Sequence, residues 1–131
     1  MMVLLLERGN VNPNTLNSNG RTPLSFAATR RPGGAVKLLL ERRDVHPDSP
    51  DIDGRTPHSF AAEWGAQSVA KLLLECGNVN PNSPDRNGRT PLSFAASGGH
   101  ESVMKLLLHR GDVNPNSPDN NMRTPLSFAA R

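Results

Sequence analysis

Four histidines, one cysteine and three Ser-Pro-Asp triplets are the groups from which chemistry would first be sought in this chain. Metal binding and acid-base catalysis both need such groups gathered by a fixed spacing, because one side chain can neither complete a coordination shell nor pass a proton to a partner. His46, His58, His100 and His109 show no such spacing, and none belongs to H-E-x-x-H or to a Cys/His pair set for zinc. Cys76 stands alone, so an internal disulfide and a CxxC site are excluded. No base stands at an adjacent or repeated position to activate it, which makes it a passive thiol suited to a reducing compartment inside the cell, cytoplasmic or nuclear. The pairs Gly33-Gly34 and Gly98-Gly99 lack the following lysine of a phosphate-binding loop, and neither G-x-S-x-G nor G-x-G-x-x-G occurs. The expectation is no enzyme, no cofactor and no metal. Ser49-Pro50-Asp51, Ser83-Pro84-Asp85 and Ser117-Pro118-Asp119 carry a proline-directed phosphorylation pattern, but the same residues build turns, and the turn is the favoured reading.

The elements that would position these groups come from a repeat. With 35% hydrophobic residues, 4% aromatics, 11 Gly and 12 Pro in 131 residues, the composition would suggest disorder if the Gly and Pro were scattered. They are periodic instead. Thr22-Pro23 returns as Thr56-Pro57, Thr90-Pro91 and Thr124-Pro125, each 34 residues on, with Phe26, Phe60, Phe94 and Phe128 on the same step. The leucine triplets beginning at Leu4, Leu38, Leu72 and Leu106 keep it too. Three complete units result, 20–53, 54–87 and 88–121, flanked by partial units 1–19 and 122–131. The opening apolar run, Met1 to Leu6, is too short for a secretory or membrane-spanning segment. A net charge of +3 is too small to point to nucleic acid by itself.

Each unit predicts two short helices and a turn. Threonine supplies an N-cap acceptor and the following proline occupies the first helical position, where its missing N–H costs nothing. The first helix carries Leu24, Phe26, Ala27 and Ala28 and is expected to stop between Arg30 and Gly34, with Gly65 and Gly98-Gly99 as the later breaks. The second helix, from Ala35 to Glu41 in the first complete unit, is apolar on nearly every face except at Lys37, so neighbours are expected on both sides. Asn, Asp, Ser and Pro then lead to Asp53-Gly54 or Asn87-Gly88, a hairpin-turn signal.

The order G-R-T-P-L-S-F-A-A, G-H-E-x-V-x-K-L-L-L, G-D-V-N resembles the ankyrin repeat over essentially the whole chain. It departs from the family in having serine at Ser25, Ser93 and Ser127, where histidine is usual, and in a step of 34 rather than ~33 residues. The resemblance implies an all-α repeat solenoid of stacked helix-turn-helix units with short β-hairpin fingers. It also implies a protein-protein interaction module that meets its partner with the finger tips and the exposed side of the first helices. On matching positions that surface is Ser18, Asn19, Arg21, Thr29 and Arg30; Ile52, Asp53, Arg55, Glu63 and Trp64; Arg86, Asn87, Arg89, Ser97 and Gly98; and Asn120, Asn121 and Arg123. Trp64, the only tryptophan, has the character of an aromatic anchor. His100 is implied to cap the second helix.

Stacking would align Arg21, Arg55, Arg89 and Arg123 as a basic stripe suited to an acidic protein or peptide, unless Asp51, Asp53, Asp85, Asp119 or Glu63 neutralise it locally. Other readings are an architectural spacer in a larger multidomain protein, or a weak binder of nucleic acid or acidic ligands through that stripe. The partial end units carry no polar cap, so a piece of a longer array, or self-association through the ends, is also expected. Two substitutions break the internal rule. His58 replaces Leu24, Leu92 and Leu126 in an apolar slot, which should leave it buried and neutral, and Met122 replaces glycine where a positive φ is expected, which should strain the last finger.

Overall fold

A computed structural model describes residues 14–29, 34–76 and 79–129. Among them are seven short helices: α1 (Pro23–Ala28), α2 (Gly34–Leu40), α3 (Pro57–Trp64), α4 (Gln67–Leu74), α5 (Pro91–Ser97), α6 (Glu101–Leu108) and α7 (Pro125–Ala129). The odd-numbered helices pack on one another in succession, and α2, α4 and α6 form a second row behind them. This is the expected all-α stack of helix pairs. No described helix is long and apolar enough to cross a membrane.

The first helices start as their sequence dictates. Thr22, Thr56 and Thr90 are extended and accept the backbone N–H of Ser25, Ser59 and Ser93 at 3.2, 3.2 and 3.3 Å. Ser59 and Ser93 return the bond, accepting the N–H of Thr56 and Thr90 at 3.3 and 3.4 Å. The serine at the family's histidine position therefore closes a capping box, and such a cap is worth about 1 kcal/mol. The breaks fall at Gly65 and Gly99, which take φ of +67° and +68°. Gly34 differs from expectation by one position: it opens α2 instead of preceding it, at a helix end where glycine's backbone freedom costs less than in the interior. Pro32, Gly33 and the Met1–Leu6 run lie outside the described residues.

The core is a column of small and branched side chains, with Ala28, Ala61, Ala62 and Ala95 on the first row and Val36, Leu39, Leu73, Val103 and Leu107 on the second. Only the middle leucine of each described triplet is wholly buried, while Leu38 and Leu108 face solvent. The second helices thus bury one stripe rather than most of their circumference. His100 stands at the N-cap of α6, but its side chain makes no cap bond. Its Nε2 lies 2.9 Å from the carbonyl of Glu63, and the ring fills space that a Cβ at Gly65 or Gly98 would occupy. The histidine joins two layers instead of capping one helix.

The fingers are tight turns, and no strand occurs among the described residues. In one finger the N–H of Asp51 donates to the carbonyl of Arg55 at 2.9 Å and that of Gly54 to the carbonyl of Asp51 at 3.0 Å. The ladder ends there because Pro57 has no N–H with which to extend it, and the chain turns into α3. Successive fingers are instead joined sideways: Ile52, Arg86 and Asn120 donate their N–H groups to the carbonyls of Asn19, Asp53 and Asn87 at 3.0, 2.7 and 2.8 Å.

Candidate partner-binding surface

The residues repeated on every finger are committed to the fold. Oδ1 of Asn17, Asp51, Asp85 and Asp119 each accepts two backbone N–H groups, two and four residues ahead, at 2.8 to 2.9 Å. The aspartates of the three Ser-Pro-Asp triplets are therefore turn locks. The arginines four residues after each lock lie over phenylalanine rings. The centre of the Arg21 guanidinium is 4.3 and 4.2 Å from the ring centroids of Phe26 and Phe60, and that of Arg55 is 5.9 and 5.3 Å from Phe60 and Phe94. Arg89 lies 4.8 Å from Phe94 and Arg123 lies 5.1 Å from Phe128. Such cation-π contacts contribute roughly 0.5 to 2 kcal/mol each, more as they desolvate. Three of the arginines also meet a carboxylate: Arg55 with Glu63 at 3.1 Å, Arg89 with Asp85 at 3.3 Å and Arg123 with Asp119 at 2.9 Å.

Positions that vary between fingers lie at the solvent boundary. Ile52 is 57% exposed at its tip, and Trp64, the last residue of α3, is 56% exposed. Asp53, Arg86, Asn87, Asn120 and Asn121 also present their side chains to solvent. Arg55 and Glu63 join finger base to first helix in a half-buried pair beneath this row. Arg30 lies outside the described residues.

A second row of inter-unit bonds sits in the turn that follows each second helix, Asn80-Pro81-Asn82-Ser83-Pro84-Asp85 in one unit, and was not foreseen from the sequence. The Asn14 amide donates to the carbonyl of Asp44 at 2.7 Å and accepts the N–H of His46 at 2.8 Å. Asn82 repeats this with Asp112 and Asn114 at 2.6 and 2.7 Å. Between them on the 34-residue step stands Asp48, which accepts the N–H of Asn80 at 3.1 Å but has no proton for a carbonyl; its buried Oδ1 has no partner. Burial raises the Asp48 pKa against the lowering effect of the Asn80 bond. The signal was the recurrence of an amide or carboxylate at positions 14, 48, 82 and 116.

His58 is fully buried and both ring nitrogens lack a hydrogen-bond partner. Burial, with a smaller push from the Arg110 charge, lowers its pKa to about 4, so it is the neutral occupant of a leucine slot at pH 7. Burial and then the Glu75 charge raise the Cys76 thiol pKa, which keeps it protonated and unreactive. Among the described residues no cluster of three or more His, Cys, Asp or Glu is arranged to hold a metal. Met122 takes φ of +65°, the left-handed conformation that Gly20, Gly54 and Gly88 hold in the other fingers. At Gly54 and Gly88 the next finger also stands close, 3.0 Å from a notional Cβ to the backbone nitrogen of Arg86 or Asn120.

Helix pairs stacked in register and joined finger to finger define a repeat-solenoid binding scaffold. The sequence places it: a family model described as ankyrin repeats (3 copies) matches residues 1–85 and a second, ankyrin repeats (many copies), matches 73–130, so the chain belongs to the ankyrin repeat family. Ankyrin repeats are generally protein-protein interaction modules, typically without catalysis. No curated protein matches the chain.

Proposed function

We propose that this chain binds a protein partner across the finger tips and the exposed ends of the first helices, with Ile52, Trp64 and Arg86 as the central contacts. The observation that carries this reading is the division of labour on that face. The turn aspartates and three of the four repeated arginines are paired within the stack, whereas Ile52, Trp64 and Arg86, at positions that differ from unit to unit, present their side chains to solvent. Apolar groups more than half exposed, such as Ile52 and Trp64, are costly to leave wet and favourable to cover. Units 20–53, 54–87 and 88–121, with the partial units 1–19 and 122–131, are the proposed recognition layers. The unpaired Cys76 fits work in a reducing compartment inside the cell.

The test is selection of binders to the chain from a displayed protein library, followed by affinity measurement with Trp64→Ala, Arg86→Ala and, on the opposite row, Lys71→Ala. Loss of about tenfold or more, ~1.4 kcal/mol, for the first two and no change for the third supports the surface. Equal binding by all three would favour a spacer without a dedicated face.

A further inference from the structure

The four stripe arginines occupy one position of the repeat, yet the first differs from the rest in its company. Carboxylates reach Arg55, Arg89 and Arg123 from two positions: four residues before the arginine, as Asp85 and Asp119, and eight after it, as Glu63. Around Arg21 both positions are neutral, Asn17 before it and Thr29 after it. Neither turns toward the guanidinium: the Asn17 oxygen accepts the N–H groups of Asn19 and Arg21 at 2.9 Å each, and the Thr29 hydroxyl donates to the carbonyl of Phe26 at 2.7 Å. Among the described residues no carboxylate pairs with Arg21.

At the same time the Arg21 guanidinium lies nearest of the four to phenylalanine, 4.3 and 4.2 Å from the ring centroids of Phe26 and Phe60. Its Nε is buried without an acceptor, as are those of Arg55 and Arg89, so its capacity for a partner lies at the terminal nitrogens. Holding the cation against the rings removes much of the side-chain entropy that usually weakens a surface ion pair, and a terminal nitrogen is the atom through which Arg55 meets Glu63. We infer that Arg21 is a carboxylate-recognition point: an Asp or Glu side chain of the protein partner takes the place on Arg21 that Glu63 takes on Arg55. The inference rests on the partner-binding reading and adds to it an acidic anchor at one end of the surface.

The experiment needs no partner. The chain, labelled with ¹⁵N-arginine and with the Arg21 signal assigned through Arg21→Lys, is titrated with N-acetylglutamate at constant ionic strength. The Arg21 Nε–H signal should shift saturably and several times further than those of Arg55, Arg89 and Arg123, while N-acetylglutamine leaves it in place. Thr29→Glu, which supplies the carboxylate internally as Glu63 does, should abolish the response while the circular dichroism spectrum stays unchanged. Equal shifts at all four arginines, no shift at Arg21, or an undiminished response in folded Thr29→Glu would overturn the inference. A response to inorganic phosphate alone would do so as well. Failure here leaves the surface reading standing, because that is judged at Trp64 and Arg86.

Discussion

Leu92 and Leu126 hold the same place in their units, yet one is 2% exposed and the other 71%. Leu74 and Leu108 repeat the contrast at 9% and 52%. Inside the stack the following helix pair covers these leucines. Beyond α7 no described residue does, and a cavity of about 200 Å³ opens among Leu92, Met104, Leu108 and Leu126. The finger carries the same lesson: at Gly88 the neighbouring turn leaves little room for a side chain, whereas the exposed Met122 meets only the conformational penalty. Identical local sequence therefore acquires different energetics from its neighbours, as expected for a chain whose stability is a sum over interfaces.

The largest effect should come from cutting that contrast at its interior side. Leu73→Ala removes a fully buried side chain and should cost about 2 to 5 kcal/mol, against less than about 0.5 kcal/mol for Leu126→Ala at the open edge. Urea denaturation of the two variants checks this, and comparable losses would mean that the edge is as well covered as the middle.

His58 sharpens the comparison through pH. Its folded pKa of about 4 lies below the ordinary 6.5, so the stability it permits is complete above pH 6.5 and is lost as pH falls toward 4. The erosion should amount to roughly 3 kcal/mol by linkage. His58→Leu, which restores the side chain of the other units, should flatten the midpoint-versus-pH curve between pH 6.5 and 4. An unchanged curve would assign the acid sensitivity elsewhere.

Asp48 lies on the inter-unit seam and runs the other way. Its raised pKa means that the charged form is the poorly accommodated one, so the seam is better satisfied at acid pH and loses that advantage as pH rises through the folded pKa. Asp48→Asn, which gives this seam the amide found at Asn14 and Asn82, should stabilise by about 1 kcal/mol at pH 7, with less gain near pH 4. Thermal melts at the two pH values decide it.

The smallest effect belongs to the edge finger. Met122→Gly should raise stability by up to about 1 kcal/mol by relieving the positive φ, with the gain reduced by the freedom that glycine adds to the unfolded chain. A loss instead would show that the Met122 side chain contributes contacts outweighing its strain.

Much of this was legible in the sequence because the repeat writes each local instruction several times. Thr22-Pro23 and its copies announced the helix starts, and the departures at His58 and Met122 were visible against the other units. The partnership of Ser59 with Thr56 was not foreseen, since histidine at that family position suggests no capping box. The amide seam and the arginine-phenylalanine stack were missed for a common reason. The seam bonds and the contacts of Arg21 with Phe60 and of Arg55 with Phe94 join residues about 30 to 39 positions apart, and local propensity carries no information at that range. Such contacts can be anticipated only by asking which polar residues recur at one step of the repeat and what their copies in adjacent layers would touch. Trp64, at the end of α3, stood out for the complementary reason, that nothing recurs there.

Native-state hydrogen exchange along the backbone tests most directly whether the layers shelter one another. Slowest exchange is predicted for α3, α4 and α5, with protection falling toward α7. Equal protection from α1 through α7, or strongest protection in α7, would contradict a stack whose stability comes from neighbouring layers.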